Sequence, residues 1–327
     1  MLAIVVLTAI LATQALFQGS SIKAAYARPL SFGHPSGHEV PRVPAVLAKS
    51  IPGWAVQPPR AAPSLLPPGR SPLQVPILMY HYIRVPPDPA TDRLGWGLST
   101  SPDDFRIQMD YLQQRGFHPV TLSDLRAYLE DAGALPDRPV VLTFDDGYED
   151  FYTTAFPILK EHNFKAVAYI VSGFVGWKTN VSAEQVRELD AYGIEIGAHT
   201  VDHIDLTAAS PASLVHQVKG SKDALEAIVG HPVLDFCYPS GRVNEAVVAA
   251  VRAAGFQSAT TTRPGSVHSL DDRFLWTRVR VSGSESLDAF AQGLALYETG
   301  LPPVSVAPIV IPRVYPLLFT GPRPGLE

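Results

Sequence analysis

The stretch Val140-Val-Leu-Thr-Phe-Asp-Asp-Gly147 contains five apolar or β-branched residues, followed by two adjacent carboxylates and a glycine. A short apolar run of this kind predicts a buried strand that delivers both acids to its carboxyl end. Open α/β sheets and (β/α) barrels carry their chemistry at that end of their strands. The stretch therefore predicts an α/β fold and also the position of a functional site within it.

The rest of the catalytic region supports this fold class. Residues 73–300 alternate apolar runs with helical patterns of about ten to twenty residues, which is typical of parallel βαβ units. About seven such units favour a barrel over an open sheet. The pattern predicts a helix capped by Ser101, a strand at 120–123 leading to a helix capped by Ser123, and a strand at 193–197.

Both ends of the chain differ in composition from this region. The apolar run at 2–17 and the small residues of Ala25-Tyr-Ala27 predict a secretory signal over 1–27, although no basic residue precedes the run. An uncleaved membrane anchor and a misassigned start codon are the alternatives, and a signal or an anchor would place the protein outside the cell or in the cell envelope. Residues 28–72 are rich in proline and predict a linker, and 301–327 predict a Pro-rich tail.

Overall composition excludes some classes of protein. The chain has 327 residues, of which 46% are hydrophobic, so it can bury a large core. Its net charge is −5 and its basic residues form no stripe, which argues against a nucleic-acid partner. The single cysteine, Cys237, excludes an intramolecular disulfide. Stability must therefore come from packing, to which a bound metal would add.

The adjacent acids Asp145 and Asp146 require a compensating charge. Mutual repulsion and partial burial both raise the pKa of a carboxyl group, so the pair implies a cation or a shared proton. His199 and His203 lie about fifty residues further on, and their i, i+4 spacing lets both face one way on a helical turn. A metal held by Asp146, His199 and His203 would keep a position open for water, as catalytic sites do. The alternative is that Asp145 caps a helix and the histidines lie on a surface loop.

Two further features end predicted strands on the same side. His81 ends a strand predicted at 75–82 and could protonate a leaving group, or it could be a core histidine bonded to the backbone. Pro239-Ser-Gly241 ends another strand in a turn whose N–H groups could stabilise an oxyanion, or it could be an ordinary turn. His268 is the next candidate for the acid.

Two motifs resemble those of a known family. Thr143-Phe-Asp-Asp-Gly147 and His199-Thr-Val-Asp-His203 are similar to the first and second motifs of the polysaccharide deacetylases of the NodB-homology type, carbohydrate esterase family 4. Residues 76–81 and 236–241 resemble the branch that includes exported poly-N-acetylglucosamine deacetylases. The resemblance implies a distorted (β/α) barrel with about seven parallel strands. It also implies a hydrolase that acts on linear amide C–N bonds.

The resemblance also implies roles for individual residues. Asp145 would be the general base, and the backbone N–H of Ser240 would be the oxyanion donor. His81 would take the acid role. The divalent ion, zinc by preference with cobalt or nickel suiting the same ligands, would be held by Asp146, His199 and His203.

The sequence departs from the family pattern in its later motifs. Cys237-Tyr-Pro-Ser240 replaces an Arg-x-Pro-Tyr motif, so the arginine that orients the base is missing there. No Asp-Trp fourth motif and no Leu-x-His fifth motif is found near the end of the chain. Arg278 or Arg280 is expected to supply the lost positive charge.

Four functions are compatible with these observations. The leading hypothesis is an exported, metal-dependent, monomeric hydrolase that removes N-acetyl groups from an amino-sugar polysaccharide such as poly-N-acetylglucosamine, peptidoglycan or a chitin-like polymer. An O-acetyl esterase acting on a polysaccharide such as xylan would use the same machinery. An inactive sugar-binding module would not need the two acids, and a structural spacer of the envelope would be favoured by the Pro-rich ends alone.

Overall fold

A computed structural model describes residues 64–66, 72–283 and 285–296. The predicted signal or anchor, most of the predicted linker and the predicted tail lie outside the described residues. None of the helices in the described part of the chain combines the length and the hydropathy that a membrane span requires.

The strands are β1 (Leu73–Gln74), β2 (Ile77–Tyr80), β3 (Tyr82–Ile83), β4 (Ser99–Thr100), β5 (His118–Val120), β6 (Pro139–Phe144), β7 (Val167–Ile170), β8 (Glu195–Ala198), β9 (Asp235–Cys237), β10 (Ser258–Pro264), β11 (Val267–His268) and β12 (Trp276–Arg280). The α-helices are α1 (Arg93–Leu98), α2 (Pro102–Gln114), α3 (Leu122–Leu129), α4 (Phe156–His162), α5 (Ala183–Tyr192), α6 (Pro211–Val229), α7 (Glu245–Ala253) and α8 (Leu287–Ala295). Seven of the strands form a closed parallel barrel, in the order β2-β12-β10-β9-β8-β7-β6 and back to β2. The predicted fold class is therefore confirmed.

The distortion of the barrel lies at β6. This strand pairs with β2 along residues 141–144. On its other edge it pairs first with β5, at residues 139–141, and then with β7, at residues 143–144. The barrel is therefore opened at its amino end, where β5 is inserted, and closed at its carboxyl end.

Helix caps agree with the sequence in one place and differ in another. Ser101 caps α2, with its side chain accepting the N–H of Asp104, as predicted. The cap of α3 is Thr121 and not Ser123. Thr121 accepts the N–H of Asp124, and the Asp124 carboxylate accepts the N–H of Thr121 in return. This reciprocal capping box satisfies two N–H groups, so α3 begins earlier than predicted and the strand before it ends at Val120.

The described part of the predicted linker contacts the domain. The N–H of Leu66 donates to the carbonyl of Leu135, and the N–H of Asp137 donates to the carbonyl of Ser64. The side chain of Leu66 packs on the core. Ordered contact with the barrel thus begins before residue 73, the predicted domain boundary.

Side chains alternate along each barrel strand between the interior and the outer ring of helices. Leu78 of β2 pairs with Leu142 of β6, and both belong to the cluster shared with the helices. Their neighbours Ile77 and Val141 also pair, but they belong to a separate cluster. That second cluster continues inside the barrel with Tyr169, Cys237 and Trp276.

The interior face becomes polar toward the end at which the strands finish, here called the carboxyl mouth. His81 follows β2, Asp145 follows β6, and Arg278 lies near the end of β12. Each of them is two or four residues beyond a side chain of the interior cluster, so all three face the interior. The strand register therefore assembles the site.

Candidate active site

The two acids of the motif diverge at a left-handed turn. Asp146 and Gly147 have φ angles of +77° and +67°, and a Cβ atom on Gly147 would lie 3.2 Å from the Cγ2 atom of Ile170. Glycine avoids both the strain and the close contact. Asn180, which the sequence did not single out, donates from its side chain to the carbonyls of Asp146 and Gly147 at 3.2 and 3.3 Å. The turn is therefore fixed from two sides.

Asp145 is held by a buried arginine. Nη1 of Arg278 donates to Oδ1 of Asp145 at 2.7 Å, and Nη2 donates to Oδ2 at 2.8 Å. The same guanidinium donates to Oγ1 of Thr143 at 3.0 Å and to the carbonyl of Thr261 at 2.8 Å. Burial alone would raise the pKa of Asp145, but the Arg278 guanidinium outweighs it and holds that pKa well below its usual range. The base candidate is therefore ionised and oriented.

The third motif lacks its arginine, but Arg278, on β12, donates to the Asp145 carboxylate instead. Arg278 rather than Arg280 contacts Asp145, which decides between the two residues that the sequence left open. Cys237 stands where the third motif of the family has its arginine, and its Sγ atom lies 3.7 Å from Oδ2 of Asp145. Nη2 of Arg278 lies 3.2 Å from the same sulfur. The small thiol leaves room for the guanidinium that enters from β12.

The two histidines do not lie on a helical turn, contrary to the prediction. They lie in the loop after β8, where Thr200 and His203 have φ angles of +69° and +54°. A helix requires φ near about −63°. The N–H of His203 instead donates to Oγ1 of Thr200 at 2.9 Å, which closes a tight turn. This turn still brings the rings of His199 and His203 to a centroid distance of 4.8 Å.

Three electron-pair donors converge at this point. Nδ1 of His199 lies 2.7 Å from the carbonyl oxygen of Cys237, and since a carbonyl only accepts, we assign the ring proton to Nδ1. In the neutral ring Nε2 then carries a lone pair, 3.4 Å from Oδ1 of Asp146. Nε2 of His203 lies 3.3 Å from the same oxygen. Among the described residues, nothing donates a hydrogen bond to this buried Oδ1 atom.

Such a constellation needs a positive charge at its centre. Against the effect of burial, Cys237 and Asp146 raise the pKa of His199 well above its usual value, so the position favours a cation. Burial and the charge of His199 lower the pKa of His203. One carboxylate and two imidazoles within 4.8 Å of one another fit a divalent metal ion.

His81 lies beside the base candidate. Its Nε2 atom is 3.8 Å from Oδ2 of Asp145, and its side chain is 13% exposed. Burial lowers the pKa of His81, although Asp145 opposes this. The ring faces the carboxyl mouth and not the hydrophobic core, so the core-histidine alternative does not describe its position.

Ser240 lies in the turn that follows β9. The turn Pro239–Gly241 is kinked at Ser240, whose φ angle of +54° is left-handed and not helical. A Cβ atom on Gly241 would lie 2.1 Å from Oγ1 of Thr262, so only glycine lets the turn pack this closely on β10. The turn thus lies at the same mouth as the two acids.

His268 lies at the opposite end of the barrel. It pairs with Leu73 across β1 and β11, and its Nε2 atom bonds the carbonyl of Val75 at 3.0 Å, before β2 begins. Burial lowers the pKa of His268 to about 4. This residue is therefore a core histidine, and it is wrong as an alternative acid.

A closed parallel barrel with two acids and two histidines at its carboxyl mouth defines a hydrolase site of the carbohydrate esterase family 4 type. Comparison with known proteins agrees, because the family model described as polysaccharide deacetylase matches residues 132–259. YxkH of Bacillus subtilis (strain 168), named as a polysaccharide deacetylase, is 31% identical over 219 residues, which cover 67% of this chain and 75% of that protein. The chain belongs to the polysaccharide deacetylase family, whose members hydrolyse N-acetyl amide bonds.

Other relatives share the barrel or part of it. The poly-beta-1,6-N-acetyl-D-glucosamine N-deacetylase of Escherichia coli (strain K12) is 39% identical over 145 residues, but these cover 39% of this chain and only 21% of that protein. The structure of the Streptococcus pyogenes deacetylase PplD in complex with acetate superposes with a TM-score of 0.63 at 30% identity, covering 68% of this chain and 99% of that one. IcaB from Ammonifex degensii superposes with a TM-score of 0.58 at 28% identity, covering 68% and 97% of the two chains.

Proposed function

We propose that this protein is an exported, metal-dependent hydrolase that removes N-acetyl groups from an amino-sugar polysaccharide. One observation carries the proposal: an ionised carboxylate, Asp145, adjoins a convergent Asp/His/His donor set at the mouth of the barrel. The name of the Escherichia coli relative supports an N-acetylated glycan as the substrate. Poly-N-acetylglucosamine, peptidoglycan and chitin-like polymers all belong to this class.

Asp146, His199 and His203 would hold the metal, which we propose to be zinc, with cobalt or nickel suited to the same ligands. A divalent ion bound there supplies Lewis-acid polarisation of the acetyl carbonyl and of the attacking water. The ligands are fixed by contacts beyond the site: the Cys237 carbonyl orients His199, and Thr200 fixes the turn before His203.

Asp145 accepts the proton of the attacking water. Each of its oxygens accepts one bond from Arg278 and keeps a second lone pair for the water. The proton then passes to His81, whose Nε2 atom is 3.8 Å away, and from there to the departing amine. The backbone N–H of Ser240 is the proposed donor to the oxyanion, because it belongs to the turn at the same mouth.

Acetate release tests this function. We expect the purified protein to release acetate from N-acetylated amino-sugar oligomers, to lose this activity in a chelator and to regain it with added zinc. Release from acetylated xylan alone would identify an O-acetyl esterase. Binding of the oligomers without any release would identify a sugar-binding module and overturn the proposal.

His81→Ala tests the acid role. An amine must be protonated to leave, whereas an activated phenolate need not be, so the variant should lose amide hydrolysis heavily and keep most hydrolysis of an activated aryl acetate. Metal content should stay unchanged, because His81 lies outside the Asp/His/His set. The matched control is His216→Ala on the exposed side of α6. Equal losses on both substrates would assign His81 to positioning.

Export is proposed from the apolar run at 2–17, which lies outside the described residues. We expect full-length protein expressed with its leader to appear in the medium or envelope fraction. Mass spectrometry of its amino terminus separates cleavage after residue 27 from an uncleaved anchor. Recovery of the intact chain in the cytoplasm would contradict export.

A further inference from the structure

Among the described residues, Arg280 is a charged residue on the interior face of the mouth that the proposed mechanism does not use. It lies two residues after Arg278 on β12, and residues two apart on a strand face the same side. Arg280 pairs with Met79, two residues before His81, whereas its neighbour Val279 pairs with Leu78 and packs outward. The side chain of Arg280 therefore faces the mouth, and its Cα atom lies about 6.6 Å further along the strand than that of Arg278.

Arg280 forms no salt bridge with the part of the chain that the structure describes. Arg280 is exposed, and no carboxylate of the described residues lies within salt-bridge distance of it. Asp145, the acid next to it, already makes two hydrogen bonds to Arg278. The carboxylate of Asp145 is therefore already paired with Arg278.

The immediate neighbours make this position unfavourable for a cation. Partial burial of the guanidinium and the charge of Arg278 lower the pKa of Arg280, and Asp145 only partly opposes them. An exposed arginine side chain normally turns toward an acid or away from a like charge. The strand register, however, fixes the backbone of Arg280 two residues beyond Arg278 on the same face of the strand. A planar guanidinium in such a place is suited to a carboxylate or phosphate from outside, which it can bind through two parallel hydrogen bonds.

We propose that Arg280 binds a negatively charged substituent, a carboxylate or a phosphate, on the glycan beside the acetamide to be cleaved. The inference rests on the proposed function and narrows its substrate class to acid-bearing amino-sugar polymers. Arg280 is then a specificity residue that touches substrate, while Arg278 serves the base. A neutral polymer would bind the same mouth without this contact.

The test uses three oligosaccharides that carry the same acetamides. One bears a carboxylate on alternate sugars, the second is the same compound with each carboxylate converted to a neutral amide, and the third bears a phosphate ester instead. Arg280→Gln is compared with wild type and with Arg280→Lys. The control is Arg263→Gln, another exposed arginine at the end of a neighbouring strand, which lines a surface cavity with Val248 of α7.

Wild type should have a higher kcat/KM for an acidic oligosaccharide than for the amide, mainly through KM, and the advantage should shrink as salt is added. Arg280→Gln should reduce this preference by about tenfold or more, the usual size of a lost charge-assisted hydrogen bond. Arg280→Lys should keep part of it, and Arg263→Gln all of it. Which of the two acidic compounds shows the preference identifies carboxylate or phosphate.

Two results would overturn the inference: no preference in the wild type, or equal losses on acidic and neutral compounds in Arg280→Gln. Calorimetric binding of the acidic and amidated oligosaccharides provides a readout that needs no turnover. If no acetate is released from any compound, the proposed function fails. The binding difference between wild type and Arg280→Gln then still decides the role of Arg280.

Discussion

His199→Ala and His203→Ala should each remove most of the bound metal and nearly all acetate release. Each variant deletes one of only three protein ligands, and a site with two ligands holds a divalent ion weakly. Metal content is measured by elemental analysis of the dialysed protein, and activity by acetate release from an N-acetylated oligomer. His216→Ala, the exposed histidine of α6, should change neither.

The two variants should differ in stability, which separates lost ligation from misfolding. His199 is 2% exposed and bonds the Cys237 carbonyl, whereas the His203 side chain is 34% exposed. His199→Ala should therefore lower the melting temperature more than His203→Ala does in metal-free samples. Stoichiometric metal with full activity in His203→Ala would contradict the assignment of the site.

Much of the site could be predicted because its residues come immediately after the ends of strands in the sequence. The apolar run before Asp145 reports burial, and the strand-helix alternation places every strand end at one mouth. Two adjacent acids and two histidines at such ends are then brought together by topology alone. For the same reason the barrel was predictable before any side-chain contact was known.

The sequence did not predict which of two arginines, Arg278 or Arg280, orients the Asp145 carboxylate. Arg278 and Arg280 both face the interior of β12, so alternation does not distinguish them. What distinguishes them is depth: the guanidinium of Arg278 reaches Thr143 and Asp145, and Arg280 starts two residues further along the strand. Depth depends on the stagger between β12 and β6, which are not neighbours in the sheet.

The shape of the histidine loop depends on equally distant contacts. Oε1 of Gln217, on α6, accepts the N–H groups of Val201 and Asp202, and its Nε2 atom donates to the Asp202 carboxylate at 2.7 Å. These bonds replace the N–H to carbonyl bonds that a helical turn would make. An i, i+4 spacing contains no information about Gln217, so it predicted that the two histidines lie together but predicted the wrong backbone for them.

Asp145→Asn should leave metal content near that of wild type and lower kcat by about a hundredfold to ten-thousandfold, the usual size of a general-base contribution. Asparagine keeps the shape of the side chain, and the three proposed metal ligands are untouched. Loss of metal in this variant would mean that the roles of Asp145 and Asp146 are exchanged.

The same substitution should change how stability depends on pH. The pKa of Asp145 is lowered by Arg278, so the pair stabilises the folded state above the unfolded carboxyl pKa of about 3.9 and loses this contribution as pH falls below it. At neutral pH, Asp145→Asn leaves Arg278 buried without its counter-charge, which costs about 3–5 kcal/mol in comparable buried pairs. Urea unfolding at pH 7 and pH 3 should thus show a difference between wild type and variant that narrows in acid. A constant difference would mean that Arg278 does not depend on the charge of Asp145, and that the arginine from β12 does not replace the one missing from the third motif.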